Sequence, residues 1–190
     1  MKINQNLSIY GNKVILVPYE KKYVERYHEW MKSEELQQLT GSEPLTIEEE
    51  YEMQESWMND EKKCTFIILN RKRYDDTRDS IYSMIGDTNL YLNDIDEPHT
   101  AECEIMIAEE YARGQKMGWN AMILMLRYGI EALNINKYRA KIKINNDSSI
   151  KMFSKLKFKE VSRSEVFGEI TFERDVSPEW KEFLMQKSIC

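Results

Sequence analysis

Glu102 and Glu104 stand two apart in the run Glu102-Cys-Glu-Ile-Met-Ile-Ala108, which continues through Glu-Glu-Tyr-Ala into Arg113-Gly-Gln-Lys-Met-Gly118. Residues two apart on a strand face the same side, so both carboxylates are placed to reach one cleft. A carboxylate there can take a proton from a reacting group, directly or through water. The alternative is that one or both pair with lysines. The same run passes from strand to loop to helix, with two glycines in the passage. A helix N-terminus leaves backbone N–H groups free and carries partial positive charge. Small residues let a phosphate approach those amides. The backbone of Arg113, Gly114, Gln115, Lys116, Met117 and Gly118 is therefore a candidate pyrophosphate cradle, although plain turn chemistry explains the pattern about as well. It is not a P-loop, since no Gly-Lys-Ser/Thr follows. Its glycine spacing does not match a dinucleotide fingerprint either.

A further segment, Asn146-Asp-Ser-Ser149-Ile150-Lys-Met-Phe153-Ser-Lys155-Leu-Lys-Phe158, follows the next strand. Asn146 caps or precedes a helix, and Ser149 and Phe153, four apart, share one helix face. The two segments together resemble the GNAT superfamily of acetyl-CoA-dependent N-acetyltransferases. The segment ending at Gly118 is similar to that family's Q/R-x-x-G-x-G/A signature. Arg113 and Gly118 match its ends, and Lys116 stands where the middle glycine usually is. The segment opening at Asn146 is similar to the family's N-x-x-S-I-x-x-F/Y-x-K-x-G-F element, with Lys157 in place of the glycine. Further stretches resemble one subfamily, the N-acetyltransferase 9 group: Val14-Ile-Leu-Val-Pro-Tyr19, Ser42-Glu-Pro-Leu-Thr46, Gly86-Asp87 and Val166-Phe-Gly-Glu-Ile-Thr171 among them. The match runs from residue 1 to about residue 184.

The resemblance implies direct attack of an amine on the thioester of acetyl-CoA, the co-substrate, with no metal. Glu102 falls where many relatives carry their acidic residue, so it is favoured slightly over Glu104 as the base. A backbone N–H near Ile107 would steady the developing oxyanion. The pantetheine arm would lie along Met106, Ile107 and Ala108 like an added strand. Residues 113–118 would hold the pyrophosphate, and Asn146, Ser149 and Phe153 would meet the pantetheine or phosphate region. Two departures stand out. Many relatives place a tyrosine at the Phe153 position to protonate the leaving thiolate, and phenylalanine has no proton to give. Lys116 adds a side chain at the cradle, where a helix-compatible backbone is expected to tolerate it. The implied acceptor is a protein or peptide amine, with tubulin one candidate. The alternatives are a non-catalytic protein-interaction factor that keeps the fold, and a small-molecule acetyltransferase with a tight enclosed pocket.

Charge and composition set further bounds. The 190 residues carry 27 Lys+Arg against 33 Asp+Glu, a formal charge of −6. Residues 34–61 hold ten acids and no base, whereas residues 137–159 hold eight bases and one acid, Asp147. The acidity argues against a general nucleic-acid binder. The acidic segment would favour a basic or amine-bearing acceptor, with Glu43 the most specific candidate substrate contact; the alternative is two solvated faces. No apolar run is long enough to span a bilayer, and no secretory leader is visible. A cytoplasmic enzyme without a membrane partner is expected, and the Asn6 and Asn146 sequons are read as chance. Cys64, Cys103 and Cys190 are far apart, so neither a disulfide framework nor a zinc site is expected. His28 is read as structural, since its neighbours in sequence supply no partner.

These residues need elements to position them. β-Branched or alternating runs predict strands over 14–19, 64–69, 81–92, 102–108 and 138–144, with a closing hairpin around 161–162 and 167–172. Helical spacing predicts helices over 21–32, 115–133 and 148–156, and Thr46 with Glu49 forms a capping box that opens another. Gly86 is expected at a bulge or a close backbone approach. Residues 70–80 read as a polar hairpin connection, the segment most prone to disorder. The eleven methionines read as core gap-fillers. The expectation is one α+β domain over residues 1–190 with a GNAT-like mixed, mostly antiparallel sheet flanked by helices, and a short tail from about 178.

Overall fold

Alternation and β-branched runs place the strands, and burial of their apolar faces sets their order. The computed structural model describes residues 2–92 and 96–188; Cys190 lies outside them. Strands β1 (Ile9–Tyr10), β2 (Val14–Pro18), β3 (Lys63–Asn70), β4 (Met84–Tyr91), β5 (Thr100–Ile107), β6 (Lys137–Lys143), β7 (Lys159–Ser164) and β8 (Glu169–Asp175) form one sheet in the order β1-β2-β3-β4-β5-β6-β8-β7. Every neighbouring pair is antiparallel except β5 and β6, which run parallel. Helices α1 (Val24–Met31), α2 (Glu34–Thr40), α3 (Ile47–Asn59) and α4 (Arg71–Thr77) precede β4, with β3 between α3 and α4. Helices α5 (Met117–Leu133), α6 (Asp147–Lys155) and α7 (Pro178–Ser188) follow β5. The fold is α+β, a mostly antiparallel sheet with helices on both faces.

Two apolar clusters cover the sheet. Phe66, Ile68, Leu90 and Cys103 belong to the cluster that takes in α5, with Met122 and Ile123 fully buried. Ile15, Ile67, Leu69 and Met106 belong to the other, with Tyr27, Trp30 and Met31 of α1. The capping box holds: Thr46 Oγ1 accepts from Glu49 N–H at 3.3 Å, and Thr46 N–H donates to Glu49 Oε2 at 2.7 Å. Both readings of Gly86 hold too. The β3–β4 register slips between Ile68 and Leu69, and a Cβ on Gly86 would lie 1.9 Å from the Met106 carbonyl oxygen.

Four expectations need correction. Residues 71–77 are helical, not a disordered connection: Asn70 Oδ1 caps the helix by accepting from Arg73 N–H. The expected tail is helix α7, anchored by fully buried Leu184 and by Trp180, whose Nε1–H donates to the Leu156 carbonyl at 2.8 Å. His28 is not isolated: α3 folds across α1 and brings Glu50 Oε1 within 3.8 Å of His28 Nδ1, which is beyond hydrogen-bond distance. Finally, Lys116 is not in a helix-compatible conformation but at φ 62°, in the left-handed region, so α5 begins only at Met117. Lys157 is also left-handed, at φ 69°. Left-handed backbone favours glycine because it has no Cβ to crowd the carbonyl.

Candidate active site

β5 and β6 pair only over Thr100–Lys137, Ala101–Tyr138 and Glu102–Arg139. Both strands continue, to Ile107 and Lys143, without pairing further, so the sheet splays into a cleft. The two strands are parallel and each feeds a helix, so the N-termini of α5 and α6 open at the same end of the sheet. Ligands in such sheets sit outside the carboxyl ends of parallel strands.

The backbone of β5 alternates across this cleft. Ala108 N–H donates to Ile85 O at 2.9 Å, and Met106 O faces Gly86. Met106 and Ala108 therefore direct their backbone groups at β4, and Ile107 directs its own to the open side. There the Ile107 carbonyl accepts from Arg113 Nε at 3.0 Å, and the Ile107 N–H faces the cleft beyond the end of the ladder. The first helical bond of α5 runs from Asn120 N–H to Lys116 O at 3.0 Å, which leaves the earlier amides of the turn without an intrahelical carbonyl. Gly114 has φ +72°, and a Cβ there would meet nothing within 4 Å, whereas a Cβ on Gly118 would lie 3.2 Å from Ile107 Cγ1. Gly114, Gln115 and Lys116 are exposed. The predicted cradle is thus an open turn whose tightest point is Gly118.

The two glutamates have different surroundings. Glu102 is tied to Lys141 of β6 at 2.8 Å, across the root of the splay. Glu104 is exposed to the cleft and walled by protein on its other sides. Burial raises its carboxyl above the ordinary carboxylate range, and repulsion from Glu102 adds to that. Lys63, the Tyr91 hydroxyl and Lys141 oppose the shift. Of the two, Glu102 is held in an ion pair with a lysine, and among the described residues no salt bridge holds Glu104.

Other predicted residues divide. Asn146 Oδ1 accepts from Ser149 N–H at 3.1 Å and caps α6 at the open end of the sheet. Phe153 is 2% exposed and packs edge-on against Phe158 at 5.0 Å, so it is turned into the core and not toward the cleft. Met106 and Ala108 are buried side chains whose contribution is backbone. Glu43 is exposed in the loop between α2 and α3 and forms no ion pair among the described residues. That loop starts near β6, where a Cβ on Gly41 would lie 3.5 Å from Lys143 Cε.

Sequence reasoning missed the polar patch beside Glu104. Lys63, Thr65, Asp87 and Asn89 are all buried. Asn89 Nδ2 donates to Asp87 Oδ2 at 2.7 Å, and burial raises the Asp87 carboxyl to about 7. Asp87, Asn89 and Tyr91 fall at period two along β4, opposite Met106, Glu104 and Glu102. That period was the available signal. Also missed was a cleft of about 410 Å³ open to solvent, bounded by Trp30, Ser33, Glu35 and Leu36 on one side and Ala108 and Arg113 on the other. Arg113 Nη1 bonds Glu35 across it at 3.0 Å. Glu109 at its floor accepts from Trp30 Nε1 at 2.7 Å and from Arg26. Among the described residues, no group of three or more His, Cys, Asp or Glu side chains is placed to hold a metal ion, and no helix is long and apolar enough to cross a membrane.

A splayed parallel pair, a glycine-bearing turn into a helix and a carboxylate facing the gap define an acyltransferase of the acetyl-CoA-dependent kind. Residues 13–159 match the family described as Acetyltransferase (GNAT) domain, and the chain belongs to that family. It is 50% identical over 176 residues to an N-acetyltransferase 9-like protein of Nematostella vectensis, covering 92% of this chain and 89% of the relative. It is also 50% identical over 191 residues to the Alpha/beta-tubulin-N-acetyltransferase 9 of Mus musculus, covering 99% of this chain and 79% of that one. Among solved structures, the spermidine N-acetyltransferase of Vibrio cholerae in complex with CoA and spermine superposes with a TM-score of 0.69 at 16% identity, covering 85% of this chain and 93% of that one.

Proposed function

We propose that this chain moves an acetyl group from acetyl-CoA to an amine of a protein or peptide, with tubulin as the first acceptor to test. The observation that carries the reading is the β5–β6 splay, which leaves Glu104 and the Ile107 N–H on one opening beside the turn into α5. The residues present fit acetyl-CoA: Gly114 leaves open space over the turn, and the amides after Arg113 and ahead of Asn120, which have no intrahelical carbonyl, suit a pyrophosphate, whereas the Arg113 N–H is taken by the Glu110 carbonyl at 3.0 Å. Bound there, the co-substrate supplies an activated acetyl carbon. Glu104 takes a proton from the acceptor ammonium. The freed nitrogen forms a C–N bond to the acetyl carbon as the C–S bond breaks, CoA leaves as the thiolate, and the second nitrogen proton passes to that thiolate, giving the neutral amide and CoA thiol. The Ile107 N–H donates to the oxygen that gains charge. A thiol of ordinary acidity is a fair leaving group, so the absence of a hydroxyl at Phe153 is compatible with turnover.

The name of the mouse relative supports tubulin as acceptor. The cleft between α1–α2 and the loop after β5 is open to solvent, which suits the end of a chain better than a small enclosed molecule. The test is acetylation of peptides with the N-terminal sequences of α- and β-tubulin, of lysine-bearing internal tubulin peptides and of spermidine, read by CoA release and mass spectrometry. Acetylated tubulin peptides are the expected result. Turnover with spermidine alone, or with none of the acceptors, would overturn the assignment.

A further inference from the structure

β3 opens on a lysine that the fold buries. Lys63 is 3% exposed. Its ammonium lies 3.4 Å from the centroid of the Trp57 ring and 4.0 Å from that of Tyr91, and it donates to Tyr91 Oη at 2.6 Å. A buried ammonium is costly unless it is compensated. Two ring faces and a hydroxyl compensate part of that cost. Carboxylates offset more of it: Glu104 of β5, Asp87 of β4 and Asp60 after α3. Packing alone does not call for a lysine here, since an apolar side chain of similar volume fills a buried site at least as well as a charge.

Tyr91 links this lysine to the cleft. It pairs with Lys63 in the β3–β4 register and with Glu102 in the β4–β5 register. It stands diagonally across from Glu104 on the same face of the sheet, and its hydroxyl helps to lower the Glu104 carboxyl. Lys63 Nζ, bonded to Tyr91 Oη, therefore shares one face of three adjacent strands with Glu104. We propose that Lys63 is a positioning residue for acetyl transfer: its ammonium, acting through the Tyr91 hydroxyl, orients and electrostatically supports the Glu104 carboxylate that takes the acceptor's proton. The inference rests on the reading of Glu104 as the base.

The remaining charged groups around Glu104 act in known directions. Glu102 opposes ionisation of Glu104 and is itself held by Lys141. Asp87 attracts Lys63 and is bonded by Asn89, while Tyr27 of α1 and Glu50 of α3 lie on the Asp87 side. Burial lowers the Lys63 ammonium to about 8, so the cation predominates at neutral pH. Removing that charge takes away a force that lowers the Glu104 carboxyl, so ionisation of Glu104 moves to higher pH.

The test is kcat/KM against pH, with the whole chain, acetyl-CoA and the best peptide found above, for wild type, Lys63→Met, Lys63→Arg, Tyr91→Phe and Glu104→Gln. Lys63→Met should move the acid limb up by about one pH unit. That makes it roughly tenfold slower on the limb and near wild type on the alkaline plateau, with the KM for acetyl-CoA unchanged. Lys63→Arg should restore the limb, and Tyr91→Phe should move it in the same direction by less. A limb that stays put in both Lys63→Met and Tyr91→Phe, or a loss equal at every pH, overturns the inference. If Lys63→Met does not fold, Tyr91→Phe, which removes one hydroxyl, decides the matter alone. Glu104→Gln separates the two levels. If it leaves kcat intact, the base assignment falls and this inference with it; if it stops turnover while the limb stays put in the other variants, only the role of Lys63 falls.

Discussion

The two faces of the sheet are built from the same strands and differ in what they bury. The α5 face takes Phe66 and Ile68 from β3, Leu90 from β4 and Cys103 from β5, against an α5 whose residues Ala121, Met122, Ile123, Met125 and Leu126 are wholly covered. Its thiols stay neutral, because burial pushes the Cys64 thiol up to about 12. The α1–α3 face takes the alternate positions: Lys63 and Thr65, Asp87, Asn89 and Tyr91, Glu102 and Glu104. Ionisable groups are buried there beside an opening in the sheet. Strand alternation thus gives the protein one face for stability and one for chemistry, a single residue step apart.

Variants on the two faces should separate along that line. The largest effect belongs to the dry face. Phe66→Ala should cost about 3–5 kcal/mol of unfolding free energy in urea melts, while the folded fraction keeps the wild-type pH dependence of kcat/KM. On the wet face, Glu104→Gln should lower kcat about 100-fold, or about 3 kcal/mol of barrier, at little cost in stability. Glu102→Gln, whose wild-type carboxylate is occupied by Lys141, should lower it by no more than a few-fold; equal losses in the two variants would erase the distinction drawn between them. Glu50, 1% exposed and raised to about 7 by burial, should make the protein less stable as pH rises. The folded state holds a proton that the unfolded state has released between about 4.3 and 7, so stability falls across that window. Glu50→Gln should flatten this dependence and raise Tm at pH 8 by about 2–4 °C in thermal scans. The smallest effect lies at the cradle. Lys116→Gly should stabilise by about 1 kcal/mol by relieving left-handed backbone, and should raise the KM for acetyl-CoA if the lysine charge helps to hold phosphate.

Much of this was legible in the sequence because it is local. Continuous apolar, β-branched runs marked β2 and β3, alternation marked β5 and β6, the Thr46–Glu49 box marked the start of α3, and Gly86 marked the bulge and the close approach of β5. The order of the two motif segments carried the family. What was hidden depends on contacts distant in the chain. α7 reads as a polar tail until Trp180 and Leu184 are seen to complete a core that begins with Val14 and Leu16 of β2. α4 is short and highly charged, and its asparagine cap lies at the end of the preceding strand. The choice between Glu102 and Glu104 could not be read from spacing, since Lys141 comes from another strand. Nor could the conformations of Lys116 and Lys157 be read from residue type. Both stand where the family pattern has glycine, and both keep the glycine-like backbone.

The central claim is that acetyl-CoA seats along β5 and over the turn into α5. The most direct test is calorimetric titration of acetyl-CoA into the wild-type chain and into Gly118→Trp, whose side chain would start 3.2 Å from Ile107 Cγ1 at the tightest point of that seat. The account predicts saturable one-to-one binding by the wild type and its loss in a variant whose circular dichroism is unchanged. Absence of binding to the folded wild-type chain, or undiminished binding by a folded Gly118→Trp, would contradict it.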